Sequence, residues 1–140
     1  MRRRKTMTDQ KKPDKSISPT ESKAIRQSVL NYLEAWYQGD PGRGVGSLHP
    51  DLAKRIVRNH PVSGEETLEN MSAVRLTERW GSGEGRATPR AKQKKKVTIL
   101  DVYGGMASVK LEAAAWVDYM HLAKVNGQWV IVNVLWERKG

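Results

Sequence analysis

Apolar residues recur at helical spacing in the first third of the chain and alternate with polar neighbours in the last third. Ile25, Val29, Tyr32, Leu33, Trp36 and Tyr37 form one stripe of a helix. The stretch "SPTE" at 18–21 marks its start as a capping box: Ser18 caps, Pro19 presets φ and Glu21 reaches back. Gly39 stops it, with Pro41 just beyond. The next stretch, "DPGRGVGSLHPDLAKRIVR", is interrupted by glycines and by the His49–Pro50 step, which predicts short helical turns with a bend near His49. A second capping box, "SGEE" at 63–66, predicts another helix. Leu68, Met71, Val74 and the stem of Arg75 form its inner stripe, and Gly81 ends it. Residues 81–96 are expected to be the longest unstructured stretch inside the domain.

Beyond residue 96 the period changes from helical to two. "KKVTILDVYGG" reads as a strand ended by two glycines, and "MASVKLEAAAWVDYMHLAKV" as one long strand with a bulge around Ala113–Ala115. Asn126–Gly127 predicts a two-residue hairpin turn, which makes Val125 face Gln128. The same register sets Leu122 against Ile131, Met120 against Asn133 and Asp118 against Leu135. One face then carries Trp116, Asp118, Met120, Leu122, Trp129, Ile131, Asn133 and Leu135. The other carries Val117, Tyr119, His121, Ala123, Val130, Val132, Val134 and Trp136. Helices followed by an antiparallel meander make the class α+β. A sheet with one wetted side needs only one apolar face. Two apolar faces predict that one meets the helices and the other, around Tyr119, His121, Val132 and Val134, meets a second copy of the chain.

Charge refines this organisation. The chain carries a net charge of +10, of which +5 sits in residues 1–15 and +6 in residues 86–96, so the remainder is close to neutral. Residues 1–17 are expected to be a disordered basic tail and residues 18–140 the folded domain. Nucleic-acid binding is disfavoured because no aromatic residue interleaves either basic run to stack on bases. There is no cysteine, which excludes disulfides and thiolate chemistry. No apolar run reaches the length of a membrane span, so no membrane insertion is expected. The basic amino terminus has no apolar segment behind it, which makes a cytoplasmic location the default.

The order of elements, with "LNYLEAWYQGD" at 30–40, "LHPDLAKR" at 48–55, "ENMSAVRL" at 69–76, "VTILDVYGGMASVKLE" at 97–112 and "WVDYMHLAKVNGQWVIVNVLWE" at 116–137, resembles the nuclear transport factor 2-like superfamily. It is most similar to the putative lumazine-binding branch, near the SnoaL-like polyketide cyclases. The resemblance covers roughly residues 20–138. It implies a cystatin-like cone in which N-terminal helices pack on a curved antiparallel sheet, with a pocket in the wide end and dimerisation through the back of the sheet. It also implies that Trp129 points toward the helices, so the face with Asp118 and Asn133 is the concave one.

Asp118 and Asn133 are therefore expected on the pocket floor. A carboxylate among apolar neighbours has a raised pKa, which suits a proton-transfer group or a ligand anchor. The competing reading is an aspartate bonded to an internal backbone group or an arginine. His49, at the bend before Pro50, is the candidate to pair with Asp118 as acid and base; a helix-capping histidine is its competing reading. Trp36, Trp116 and Met120 are expected as apolar walls. The three histidines lack metal-ligand spacing and there is no nucleotide-binding glycine loop, so neither metal nor cofactor is expected. Three function classes follow: a homodimer binding a small apolar ligand; a cofactor-independent cyclase, isomerase or dehydratase working through Asp118 and His49; and an adaptor using the basic segments. The first is the primary reading.

Overall fold

The computed structural model describes residues 17–140 and arranges them as helices over one face of a six-stranded sheet. The elements are α1 (Pro19–Gln38), α2 (Pro41–Gly44), β1 (Leu48–Asn59), β2 (Glu66–Ser72), α3 (Ala73–Gly81), β3 (Lys96–Tyr103), β4 (Met106–Glu112), β5 (Trp116–Val125) and β6 (Gln128–Arg138). Short 3-10 turns cover Val45–Ser47, Glu84–Ala87 and Arg90–Lys92. The strand order is β2-β1-β6-β5-β4-β3. All neighbours are antiparallel except β1 and β6, which run parallel. The class is α+β, with one parallel pair in the expected antiparallel sheet. The basic tail lies outside the described residues except for Ile17, which packs partly buried against the core. Among the described residues no helix is long and apolar enough to cross a membrane.

α1 forms as its pattern dictates. Ser18 Oγ accepts the Glu21 N–H at 3.0 Å, Pro19 opens the helix and Gly39 closes it in the left-handed region at φ 65°. Ile25, Val29, Tyr32 and Leu33 bury its inner stripe against the sheet. Glu21 does not complete the capping box. Its carboxylate accepts from Lys124 Nζ and Trp129 Nε1, both at 2.6 Å, and so ties the helix start to the β5–β6 hairpin.

Two expected helical segments are strands. The residues around His49 belong to β1, where Leu52, Lys54 and Ile56 are buried and Arg55 and Val57 exposed. Pro50 is tolerated because it falls in the irregular stretch between Leu48 and Ala53, where β1 and β6 lose register and no ladder bond is needed there. "SGEE" is a turn: His60 Nδ1 accepts from Val62 and Ser63, and Ser63 Oγ accepts the Glu65 N–H, two residues on. Leu68 is largely exposed on edge strand β2. The helix starts instead at Ser72, whose Oγ accepts the Arg75 N–H at 3.1 Å. The expected bulge around Ala113–Ala115 is a reversal between β4 and β5, closed by Ala113 N–H to the Trp116 carbonyl at 3.0 Å.

The Asn126–Gly127 turn sets the expected register at first, with both residues at positive φ. Val125 faces Gln128 and Leu122 faces Ile131. The ladder then shifts by one residue: His121 faces Asn133, leaving Val132 as a bulge. A shift of one residue exchanges the faces beyond it. Met120 therefore faces Val134, not Asn133, and Asp118 faces Trp136, not Leu135. Val134 turns inward at 2% exposure, while Asn133 and Leu135 turn outward. The back of the sheet carries Tyr119, His121, Asn133 and Leu135, which corrects the face assigned from alternation alone.

Residues 81–96 are ordered against α1 rather than loose. Arg86 donates to the Gln38 carbonyl at 3.2 Å, and the basic run pairs with α1 and β4: Lys95 with Glu34 at 2.7 Å, Lys94 with Glu112 at 3.5 Å and Lys96 with Glu112 at 3.7 Å. Gly85 lies so close to α1 that a Cβ there would overlap the Trp36 carbonyl oxygen. Gly85→Ala is expected to destabilise the fold by about 1–3 kcal/mol, because backbone cannot yield as a side chain does. Denaturant unfolding checks it; a loss near zero would mean that this segment is free to move away from α1.

Candidate functional site

The bulge and β1 together determine what faces the helices. Trp116, Asp118 and Met120 on β5, Val134 and Trp136 on β6, and Lys54 on β1 point inward, beneath Tyr32 and Trp36 of α1 and Leu76 and Trp80 of α3. An open cavity of about 180 Å³ remains between the layers. Its wall includes Tyr32, Trp36, Lys54, Trp80, Trp116 and Trp136, and its rim Arg58, Arg79, Glu84 and Arg138. The rings meet edge to face: Tyr32 with Trp80 at 5.9 Å, Trp36 with Trp116 at 5.9 Å and Trp116 with Trp136 at 6.5 Å between centroids.

Lys54 is the polar centre of this wall. Its side chain is buried, and Nζ donates to Tyr32 Oη at 2.7 Å. The ammonium also lies 5.1 Å from the Tyr32 ring centre and 5.0 Å from that of Trp136, within cation–π range of both. Burial lowers its pKa, the Asp118 charge opposes that, and Arg79 and Arg138 reinforce it.

Asp118 is fully buried but stands behind the wall rather than on it. Oδ2 accepts the Trp116 indole N–H at 2.9 Å; Oδ1 has no formed hydrogen bond among the described residues. Burial raises its pKa, against the Lys54 charge, the Trp116 hydrogen bond and the nearby Tyr32 hydroxyl. Burial likewise raises Tyr32 well above the ordinary phenol value, followed by the Asp118 charge. Because the folded carboxyl is raised above its ordinary 3.8, the stability it contributes is complete below that pH. That contribution is lost as pH rises through the folded value. An Asp118→Asn variant should therefore gain on the wild type as pH rises from 3.8 toward neutrality. Denaturant unfolding across that range checks the sign; a gap that narrows would show the carboxylate to be net stabilised by its partners.

The sequence-predicted residues divide. Trp36 and Trp116 line the cavity, and Asp118 lies on the helix-covered face behind Lys54 and Tyr32. Met120 is core, at 2% exposure, and does not line the cavity. Asn133 is on the opposite face through the Val132 bulge, with Nδ2 3.4 Å from His121 Nδ1. His49 does not line the cavity either; in β1 its Nδ1 accepts the Asp51 N–H at 3.0 Å, so it is not brought together with Asp118. Lys54 and Tyr32 were missed as polar site residues. Their signal was present in part: a lysine between Leu52 and Ile56 at alternating positions is out of place on a buried strand face.

The family described as putative lumazine-binding matches residues 20–137, and the chain belongs to it. No curated protein matches the chain in sequence. Among solved structures it is similar to an NTF2-like protein of unknown function from Shewanella baltica OS155, at 17% identity and TM-score 0.65, covering 89% of this chain and 98% of that one. An NTF2-like protein of unknown function from Methylobacillus flagellatus KT aligns at 18% identity and TM-score 0.66, covering 89% and 97%. A ketosteroid isomerase-like protein from Erwinia carotovora atroseptica SCRI1043 aligns at 14% identity and TM-score 0.59, covering 88% and 99%. At these identities the likeness is one of fold, the NTF2-like, cystatin-like arrangement of helices on a curved sheet.

Proposed function

We propose that this member of the putative lumazine-binding family binds a small, flat organic ligand in the cavity beneath α1 and α3. The polar anchor is the Lys54–Tyr32 pair, and the walls are Trp36, Trp80, Trp116 and Trp136. One observation carries the reading: a buried ammonium on the wall of an open, aromatic-lined cavity. A buried cation costs free energy that an apolar side chain there would not, so its retention favours a binding role. Asp118 serves as counter-charge behind the wall. Thermal-shift screening of planar heterocycles and aromatic acids tests this against a Trp136→Ala control. Compounds that stabilise the wild type and not the control support it; no stabilising compound, or equal stabilisation of both proteins, overturns it.

A catalytic reading rests on a separate observation, the 2.7 Å contact between Tyr32 Oη and Lys54 Nζ beside a buried carboxylate. Such a set can pass a proton to and from a bound ligand. In that reading the chain is a cofactor-independent isomerase, cyclase or dehydratase, with Tyr32 and Lys54 replacing the expected Asp118–His49 pair. Tyr32→Phe would then lower turnover far more than it weakens binding, because it removes the proton-transfer hydroxyl as well as one member of the polar anchor.

The proposed unit is a homodimer through the back of the sheet. Tyr119, Leu135 and Val57 are each more than half exposed there, around a groove of about 590 Å³. Leaving such a face in water costs ~25 cal/mol per Å². Leu135→Lys, a charge at the middle of that face, is expected to shift the mass at micromolar concentration from dimer to monomer. Sedimentation velocity reads this directly, and a monomeric wild type would overturn the assignment.

A further inference from the structure

Two cations stand against one indole in the cavity. The Lys54 ammonium lies 5.0 Å and the Arg138 guanidinium carbon 5.2 Å from the Trp136 ring centre, and both residues line the same space. The other cations at the rim are matched: Arg58 pairs with Glu69, and Arg79 with Glu84 at 2.9 Å. Lys54 spends one of the three donors of its ammonium on Tyr32 and has no carboxylate within ion-pair distance among the described residues. Arg138 likewise has its indole contact and no ion pair among the described residues. Asp118, behind the wall, offsets one of these two charges and leaves the other unmatched.

We infer that the ligand class of this cavity is a planar aromatic or conjugated monocarboxylate, its ring against Trp116 and Trp136 and its carboxylate shared by Lys54 and Arg138. The inference rests on the ligand-binding reading above and narrows it. A single negative charge closes the local balance of two cations and one carboxylate. A neutral ligand leaves two like charges facing the same small space, and a cationic one adds a third. The guanidinium fork suits a carboxylate geometrically, and the buried ammonium supplies a charge-assisted donor from the other side. The cavity volume of about 180 Å³ is on the scale of one or two fused rings.

Titration calorimetry of the full chain with naphthoate and with naphthamide, matched in shape and differing in charge, tests the inference. Naphthoate is expected to bind at least about tenfold more tightly, the scale of a charge-assisted hydrogen bond. Arg138→Gln and Lys54→Met should each weaken naphthoate more than naphthamide and so narrow the gap between the two compounds, because the charge-assisted contact is made only to the carboxylate. Asp118→Asn should leave naphthoate affinity unchanged or raise it, because it removes a competing negative charge. Equal affinity of the two compounds for the wild type overturns the carboxylate assignment and leaves a ligand cavity in place. Failure of both to bind overturns the cavity reading and the inference together. The comparison on the wild type needs no variant, so a substitution that unfolds the protein does not remove the test.

Discussion

The double variant Lys54→Met, Asp118→Asn is expected to be more stable than the wild type by about 1–4 kcal/mol at neutral pH, while losing binding in the cavity. Burial disfavours the charged form of both groups: it lowers Lys54 and raises Asp118, and in each case it outweighs the attraction between them. The two are not in direct ion-pair contact among the described residues, so the Coulomb gain is incomplete. Methionine fills the lysine stem's volume and asparagine keeps a group for the Trp116 indole N–H. Both single variants should be less stable than the double variant, because each strands one buried charge. Lys54→Met alone removes the cation that lowers the Asp118 pKa. Its carboxyl then rises further, and that variant should lose stability as pH climbs away from the acid range. Denaturant unfolding of the four proteins forms a double-mutant cycle. A double variant clearly less stable than the wild type would show that the pair holds the fold together rather than serving the cavity.

That expectation could not have been reached from the chain's pattern, and the reason is local. α1 was legible because caps, stripe and terminator agree: Ser18, Ile25 to Tyr37 and Gly39 all sit where an isolated helix would put them. The β5–β6 hairpin was legible as far as Leu122, because Asn126–Gly127 fixes its register. Beyond that point the run "WVIVNV" is apolar on both parities, so no alternation reveals which residue is extra. The bulge at Val132 moved Asn133 out of the site and Trp136 into it. β1 was misread for a related reason. Its glycine-rich lead and Pro50 look like helix breakers, and the interrupted β1–β6 pairing that accommodates Pro50 is a property of the sheet and not of the segment. With β1 taken as helical turns, Lys54 had no face assigned, and the polar centre of the cavity went unseen. Asp118 was found because it alternates with Trp116, Met120 and Leu122 within one unbroken strand.

The largest loss of stability at the cavity is expected from Trp80→Ala, about 3–5 kcal/mol, with weakened ligand binding as its consequence. Trp80 is buried at 1% exposure, meets Tyr32 edge to face at 5.9 Å and fits against Gly44, where an added Cβ would come within 2.7 Å of the indole. It joins α3, α2 and α1 over the sheet, so truncation leaves a void among these three helices. Tyr32 also loses the ring that fixes its plane, and with it the geometry of the hydroxyl that accepts from Lys54. Trp36→Ala is the informative contrast. Trp36 is only partly buried and packs on the core from its margin, so its truncation should cost less stability while removing a wall of the same cavity. Unfolding and ligand titration on the two variants separate the roles: Trp80→Ala should lower the unfolding midpoint far more, and Trp36→Ala should weaken binding in a protein that remains folded. Equal losses of stability would place Trp36 in the core. A Trp36→Ala protein that binds as the wild type does would show that the ligand sits deeper, between Trp80, Trp116 and Trp136.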